Sequence, residues 1–213
     1  MEYDYYPATA DSPDAVKVLV LMHGRGANRH DLAGLRGPLP SDWHLVLPDA
    51  PHPGAPWGYG PGRAWYRFLG DDVPDPESLQ ASMAELDGLV DALPARVGGP
   101  IEHLVVGGFS QGGTVGHSYA LTRPDRVSGV LNFSGFLPSN VPVSAEAVAG
   151  KRFFWGHGMD DPAIPFALAV RGRAALKAAG ADLEARDYGI GHWIDEGELR
   201  DASAWLGQFA IHD

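Results

Sequence analysis

Residues 108–112, with the sequence Gly-Phe-Ser-Gln-Gly, constrain the fold of this chain more than any other stretch. The apolar run 104–107 precedes them, and a segment typical of a helix follows at 113–121. A chain that turns directly from a strand into a helix needs glycine on both sides of the turn, because a Cβ there would meet the neighbouring backbone. Such a turn exposes the Ser110 hydroxyl above the strand end. The pattern predicts a nucleophile elbow, and the plain alternative is a glycine-rich turn that happens to contain a serine.

Apolar runs rich in β-branched residues alternate with segments of helical periodicity along the chain. The predicted strands are Val16–Met22, His44–Leu47, Ile101–Val106, Val127–Phe133, Arg152–Trp155 and Leu183–Tyr188. The predicted helices are 76–97, 113–122, 166–179 and 196–209. Asp75 supplies the N-cap of the first helix, and Pro76 is its first residue. The alternation predicts an α/β fold, in which a mostly parallel sheet carries helices on both faces.

The same alternation extends along the chain without an internal repeat or a linker, so we expect one domain over residues 1–213. The connection at 136–150 is too short to form a large cap domain. Residues 51–76 are rich in proline, glycine and aromatic residues, and they form a long irregular segment.

Composition narrows the classes of partner and site. The net charge of −11 argues against nucleic acid and anionic membranes as partners, since both require a basic surface. The chain has no cysteine, so it has no disulfides, no thiolate nucleophile and no cysteine-based metal site. Residues 1–7 lack the basic and apolar segments of a signal peptide, and no apolar run approaches the roughly 20 residues that span a bilayer. We therefore expect a soluble, cytoplasmic protein without membrane insertion.

Polar residues stand where the predicted strands end. They are His23, Asp49, Ser110, Ser134, His157, Asp160, Asp161 and His192. In open parallel sheets, functional residues lie just beyond the carboxyl ends of the strands. This regularity predicts an active site at that edge of the sheet.

A serine hydroxyl needs a positioned base, normally a histidine that a carboxylate orients. In the fold that contains a nucleophile elbow, these three residues follow one another along the chain in the order serine, acid, histidine. The histidines that follow Ser110 are His117, His157, His192 and His212. His117 falls within the elbow helix, His157 precedes its acid, and His212 lies in a tail that we expect to fray. His192 follows the last predicted strand in a glycine-bracketed loop. We predict that His192 is the base.

The acid is expected in the loop after the penultimate strand, which offers Asp160 and Asp161. One of the two can reach the imidazole while the other caps the next helix. Asp187 is a more remote candidate, since it falls within the last predicted strand. The spacing alone does not separate Asp160 from Asp161.

An oxyanion hole needs two backbone N–H groups. Gln111, the residue after the nucleophile, supplies one, and the loop at 23–26 supplies the other, where we favour the amide of Arg25. Two roles are open for the Arg25 side chain: it is a solvated cation, or it binds a product carboxylate. We favour the solvated cation. His23 and His157 each stand in a His-Gly pair, and for both we favour a role in shaping the loop.

Motifs along nearly the whole chain resemble one family. They are His23-Gly24-Arg25-Gly26-Ala27-Asn28, Asp49-Ala50-Pro51, Arg63-Ala64-Trp65-Tyr66, Gly108-Phe109-Ser110-Gln111-Gly112-Gly113, the segment 157–165 and Gly191-His192. The chain resembles the phospholipase/carboxylesterase family, the small lidless α/β-hydrolases that include acyl-protein thioesterases and bacterial carboxylesterases. The His-Gly-x-x-Asp-x-x-Val-Pro pattern of that family falls on 157–165, with isoleucine at the valine position. The resemblance thereby selects Asp161 as the acid.

The resemblance implies an α/β-hydrolase fold and an esterase or thioesterase without metal or organic cofactor, in a family whose members often dimerise. We therefore predict a serine hydrolase that cleaves small carboxylic esters of short to medium acyl chain through Ser110, Asp161 and His192. Lysophospholipase or acyl thioesterase activity is the alternative, and a noncatalytic binding protein on the same fold is a remote one. The predicted pocket is shallow and aromatic, with candidates Trp57, Trp65, Tyr66, Phe136 and Trp193, joined by Tyr59 and Phe68.

Overall fold

The computed structural model describes residues 1–10, 16–70 and 72–209. Its strands are β1 (Tyr3–Tyr6), β2 (Val16–Met22), β3 (Trp43–Pro48), β4 (His52–Pro53), β5 (Arg63–Ala64), β6 (Ile101–Phe109), β7 (Gly129–Phe133), β8 (Arg152–Gly158) and β9 (Asp182–Tyr188). Its α-helices are α1 (Pro76–Val97), α2 (Gln111–Thr122), α3 (Ala145–Val148), α4 (Phe166–Ala178) and α5 (Glu196–Leu206). Seven strands form one sheet in the order β1-β3-β2-β6-β7-β8-β9, and β4 and β5 form a separate ribbon. Only β1 runs antiparallel to its neighbour in the large sheet. The predicted mostly parallel α/β sheet is confirmed.

Each face of the sheet carries its own apolar core, because successive residues of a strand point to opposite faces. Val18 and Val20 of β2 face the core formed with α1, α2 and α4. Leu19 and Leu21 face the core that α5 covers. A strand buried on both faces explains why β2 is apolar at nearly every position.

Several strands differ from their predicted bounds. β6 and β8 run on to Phe109 and Gly158, through glycines that the sequence presents as turn residues. Parallel pairing of Gly108 with Met22 keeps this part of β6 in the ladder. β1 was not predicted, because its half-buried edge position leaves no apolar run in the sequence. The final helix ends at Leu206 rather than Phe209, although Phe209 remains buried in the core beneath α5.

The connection between β7 and β8 contains only the four-residue helix α3. α1 begins as predicted, since the Asp75 carboxylate accepts a hydrogen bond from the Ser78 amide and Pro76 follows it. Within the described ranges, no helix combines the length and the apolar character needed to cross a bilayer.

The Gly112→Ala substitution is expected to destabilise the protein by more than about 3 kcal/mol, because α2 packs directly against β2 at this point. A Cβ at Gly112 would overlap the carbonyl oxygen of Met22, which belongs to the backbone and has little room to move. Urea unfolding measures the loss.

Gly88→Ala is the matched control for this prediction. Gly88 lies within α1, where an added Cβ meets nothing within 4 Å. The substitution should stabilise the protein by about 0.5–1 kcal/mol, because alanine loses less backbone entropy in a helix. Equal stability of Gly112→Ala and the wild type would contradict the packing described here.

Candidate active site

Ser110 stands on the turn between β6 and α2 with φ 56° and ψ −115°, a conformation rare for a residue with a side chain. Gly108, two residues earlier, has φ 141°, and a Cβ there would overlap the backbone of Met22. The Ser110 amide donates a hydrogen bond to the Phe133 carbonyl at 2.8 Å, which ties the turn to β7. Strained backbone on a sharp strand-to-helix turn is the geometry of a nucleophile elbow.

The structure brings Ser110, His192 and Asp161 into one hydrogen-bonded chain. His192 Nε2 lies 2.9 Å from Ser110 Oγ, and His192 Nδ1 lies 2.6 Å from Asp161 Oδ2. The carboxylate can only accept, so Nδ1 carries the proton and Nε2 is free to accept the hydroxyl proton of Ser110. The Phe109 ring packs against the imidazole, with 4.7 Å between ring centres. This arrangement can remove a proton from Ser110 and hold the resulting imidazolium.

Asp161 is held by its own loop. Its Oδ1 accepts hydrogen bonds from the amides of Ala163 and Ile164, both at 2.8 Å, which leaves Oδ2 for His192. Asp160 is exposed, and it does not cap α4, whose N-cap is Pro165 without a side-chain bond. Asp187 forms an ion pair with Arg173. Among the three acid candidates, only Asp161 contacts the imidazole.

The other candidate histidines have structural contacts. His117 is buried in α2, where burial lowers its pKa to about 3, and its Nε2 accepts from the side-chain amide of Asn132 at 2.8 Å. His157 donates from Nε2 to the Ile164 carbonyl at 3.0 Å, and burial lowers its pKa. His23 donates from Nδ1 to the Gly24 carbonyl and accepts at Nε2 from the Ala50 amide. His212 lies outside the described residues.

The loop after β2 lies against the elbow. A Cβ built on Gly24 would lie 3.2 Å from the Phe109 ring and 3.6 Å from the Cβ of Ser110. Within the described ranges, no hydrogen bond engages the amides of Arg25 or Gln111. Gln111 is the first residue of α2, so its N–H has no partner inside the helix. The prediction that these two amides form an oxyanion hole is compatible with their lack of hydrogen-bond partners.

The Gln111 side chain has a contact that sequence reasoning missed. Its Oε1 accepts from the Trp65 amide, and its Nε2 donates to the Tyr66 carbonyl, both at 3.0 Å. The buried side chain therefore fastens the segment 65–66 to the elbow. Only the three-dimensional fold brings these positions, about 45 residues apart in sequence, into contact.

A cavity of about 240 Å³ opens at Ser110. Tyr66, Phe68 and Phe136 line it, as the sequence suggests, and so does Phe109, which was not a candidate. Another part of its wall is apolar and consists of Ala163, Ile164, Pro165 and Leu168. Two charged residues, Arg25 and Asp31, also line the cavity.

Four of the seven aromatic residues proposed for the pocket do not line this cavity, which corrects the sequence-based assignment; they are Trp57, Tyr59, Trp65 and Trp193. Trp65 is fully buried behind it and donates its indole N–H to the His23 carbonyl at 3.0 Å. Trp57 packs between His52 and Tyr59 in the ribbon segment. Trp193 is 57% exposed, and its ring packs on Gly191. An aromatic residue in an irregular segment still needs packing partners, and here the loops supply them.

Glu198 of α5 is a buried carboxyl group that takes no part in this hydrogen-bonded chain. It is 0% exposed and packs on Gly156, and neither of its oxygens has a hydrogen-bond partner among the described residues. Burial raises its pKa to about 8, Asp195 and Asp201 add to the rise, and Arg173 opposes it. In the native state, Glu198 therefore stays protonated at pH values far above those at which a glutamate usually loses its proton.

We expect the free energy of unfolding to fall between about pH 5 and 8 more steeply in the wild type than in Glu198→Gln. A pKa raised in the native state means that folding binds a proton, so the contribution of Glu198 is fully present below about pH 4 and is lost as the pH rises through about 8. Urea unfolding at several pH values measures the two slopes. Glu196→Gln, an exposed change on the same helix, should follow the wild type. Parallel slopes for wild type and Glu198→Gln would contradict the prediction.

Within the described ranges, no group of three or more histidine, aspartate or glutamate side chains could hold a metal ion. The chain has no cysteine to add to such a group.

Comparison with known proteins gives consistent results. The sequence profile of the phospholipase/carboxylesterase family matches residues 8–209. Acyl-protein thioesterase 1 of Mycosarcoma maydis is 29% identical over 94% of this chain and 93% of that protein. A probable carboxylesterase, SOBER1-like, of Arabidopsis thaliana is 30% identical over 63% of this chain, a match that spans about half (52%) of that protein.

The fold has close structural neighbours. The carboxylesterase of Bacillus cereus superposes with a TM-score of 0.83 over 98% of this chain and 94% of that one, at 21% identity. This likeness confirms the α/β-hydrolase fold. The match of the family profile over nearly all of the sequence, together with the relatives above, shows that the chain belongs to the phospholipase/carboxylesterase family and is a carboxylesterase-type hydrolase.

Proposed function

We propose that this protein hydrolyses carboxylic esters of short to medium acyl chain, with Ser110 as nucleophile, His192 as base and Asp161 as the acid that orients it. The observation that carries the proposal is the hydrogen-bonded chain from Asp161 through His192 to Ser110, which ends in an open cavity. A serine becomes nucleophilic when a positioned imidazole accepts its proton, and here that acceptor lies 2.9 Å away.

The proposed reaction has two steps. Ser110 Oγ attacks the ester carbonyl carbon while its proton passes to His192 Nε2, and the amides of Arg25 and Gln111 bind the oxyanion. His192 then gives that proton to the leaving alkoxide, which departs as the alcohol and leaves an acyl-enzyme. Water attacks the acyl carbonyl, again losing its proton to His192, and the acid leaves as Ser110 regains its hydrogen. Each amide donor contributes about 3 kcal/mol to the transition state in comparable oxyanion holes.

The size and lining of the cavity support the choice of acyl chain. A volume of about 240 Å³ lies below the roughly 300–1,000 Å³ of sites that enclose drug-sized ligands. Aromatic and aliphatic side chains form most of the wall, which suits a short hydrocarbon chain. The connection at 136–150 adds no cap that would enclose a longer one.

Across a series of 4-nitrophenyl esters from C2 to C16, we expect kcat/KM to reach its maximum at C8 or shorter. Longer chains leave the cavity and gain no further buried apolar area. The initial rate of 4-nitrophenol release, measured below the critical micelle concentration of each ester, provides the comparison. A maximum at C12 or longer would contradict the proposed substrate class.

Acyl thioesters are a second candidate class, favoured by the similarity to the Mycosarcoma maydis acyl-protein thioesterase 1 along nearly the whole chain. The proposed reaction is the same except that a thiolate leaves. Matched phenyl butyrate and S-phenyl thiobutyrate separate the two classes, and we expect the ester to be preferred once the rates are corrected for spontaneous hydrolysis. A homodimer, which the resemblance implies, and a cytoplasmic location stay predictions.

A further inference from the structure

Arg25 lines the cavity that holds Ser110, and its guanidinium forms no ion pair with any residue that the structure describes. Among the described residues, seven of the twelve other arginines form ion pairs with carboxylates, namely Arg29, Arg123, Arg126, Arg152, Arg171, Arg173 and Arg186. Among the residues that the structure describes, no carboxylate lies within 4.0 Å of the Arg25 guanidinium. Five further arginines lack an ion pair among the described residues, but of these six only Arg25 lines the cavity that holds Ser110.

An aromatic platform positions this guanidinium. Arg25 lies over the ring of Tyr59, 4.8 Å from its centre, at a distance that gives a cation–π attraction. The Tyr59 hydroxyl accepts a hydrogen bond from the Phe68 amide at 2.8 Å, and the Tyr59 backbone packs on Gly26, where a Cβ would overlap its carbonyl. The platform is therefore fixed at both ends. An arginine held in this way loses little entropy when it binds an anion.

The sheet order separates the two sides of the cavity. β6, which ends at the elbow, lies between β2 and β7. Arg25 follows β2, whereas Phe136 follows β7 and the apolar segment 163–168 follows β8. A substrate with its carbonyl at Ser110 therefore meets a cation on one side and a hydrocarbon wall on the other.

Asp31 is the opposing charge in this cavity. It is exposed and lines the same cavity, yet it does not pair with Arg25. Together with the acidic surface of the chain, it disfavours anions in general. Any preference for an anionic substrate must then come from a short-range contact with Arg25.

We propose that the Arg25 side chain forms an anion subsite and that the preferred substrates are esters carrying a carboxylate several bonds from the scissile carbonyl. The proposal rests on the esterase function proposed above and narrows its substrate class. The guanidinium fork matches a carboxylate through two parallel N–H···O bonds. The carboxylate belongs either to the acyl part, as in a monoester of a dicarboxylic acid, or to the alcohol part.

Two matched substrate pairs distinguish these sources. The acyl pair is mono-4-nitrophenyl adipate and 4-nitrophenyl methyl adipate, and the alcohol pair is 3-(butanoyloxy)benzoate and its methyl ester. Within each pair, the ratio of kcat/KM for the anionic ester to that for the neutral ester is measured at fixed ionic strength. In at least one pair we expect Arg25→Gln to lower this ratio by about tenfold or more, as loss of a charge-assisted bond predicts.

Three further variants sharpen the test. Arg25→Lys should retain part of the ratio, because it keeps the charge and loses the fork. Asp31→Asn should raise the ratio. Arg96→Gln removes an arginine that lies over another tyrosine, Tyr5, outside the cavity lining, and it should leave the ratio unchanged.

If Arg25→Gln lowers the ratio in the acyl pair, the subsite binds the acid part of the substrate. If it lowers the ratio in the alcohol pair, the subsite binds the leaving group. If Arg25→Gln leaves the ratio unchanged in both pairs, whether kcat/KM is unaffected or falls equally for the anionic and the neutral ester, the anion subsite is overturned. If the wild type hydrolyses neither of the two neutral esters, the proposed function is overturned, and the subsite with it.

Discussion

Ser110→Ala is expected to lower kcat/KM for 4-nitrophenyl butyrate by about 10⁴- to 10⁶-fold, the range found when the nucleophile of a serine hydrolase is removed. Alanine leaves the carbonyl carbon without an attacking oxygen, and the amides of the proposed oxyanion hole can assist only direct attack by water. The Ser110 hydroxyl has its hydrogen bond with His192, so its removal costs no contact in the core. Thermal unfolding of the variant should match that of the wild type.

Ser134→Ala is the matched control for this prediction. Ser134 also directly follows a strand, β7, at a positive φ of 54°, and it is fully buried. Its hydroxyl has no hydrogen-bond partner among the described residues, so removing it should leave both activity and stability near those of the wild type. Loss of activity in Ser134→Ala with retention in Ser110→Ala would move the nucleophile to the adjacent strand.

Asp161→Asn is expected to lower kcat by about 10⁴-fold, for a reason that the Asp161 contacts make specific. Oδ1 accepts hydrogen bonds from the amides of Ala163 and Ile164, so in the variant the asparagine oxygen stays there and its NH₂ faces His192 Nδ1. Nδ1 must then accept, which moves the ring proton to Nε2. An imidazole protonated at Nε2 cannot take the proton from Ser110.

The neighbouring Asp160→Asn removes the same charge from an exposed position and should keep nearly full activity. Initial rates at saturating 4-nitrophenyl butyrate compare the two variants. Because the fold of Asp161→Asn keeps both loop hydrogen bonds, its unfolding midpoint should stay close to that of the wild type. A loss of less than tenfold in Asp161→Asn would show that the carboxylate does not set the tautomer of His192.

The fold was predictable because each strand and helix carries its own local signal. The glycines near Ser110 indicate the strand-to-helix turn. The alternation of strands and helices predicts a parallel sheet, in which the carboxyl ends of the strands lie along one edge. The chain order of serine, acid and histidine then selects His192 among the histidines. The family assignment, drawn from motifs spread along the chain, is confirmed by the match over residues 8–209. The roles of the three side chains stay predictions until the variants are measured.

The pocket was less predictable, because its lining depends on contacts between distant segments. Trp65 is an aromatic residue in an irregular segment, as expected of a pocket residue. Its hydrogen bonds with the Gln111 side chain and the His23 carbonyl nevertheless hold it behind the cavity. Nothing local separates it from Tyr66, its neighbour, which does line the cavity. The buried carboxyl group of Glu198 was hidden for the same reason, since its burial depends on the glycine of β8 opposite it.

Labelling with a fluorophosphonate, followed by mass spectrometry of the peptides, tests the proposed mechanism most directly. The reagent phosphonylates a serine only when a base activates the hydroxyl and an oxyanion hole stabilises the adduct. We expect a single adduct on Ser110, in the peptide that contains residues 108–112, with loss of esterase activity in proportion to labelling. Absence of an adduct from the folded wild type, or an adduct on a serine other than Ser110, would contradict the assignment of Ser110 as the nucleophile.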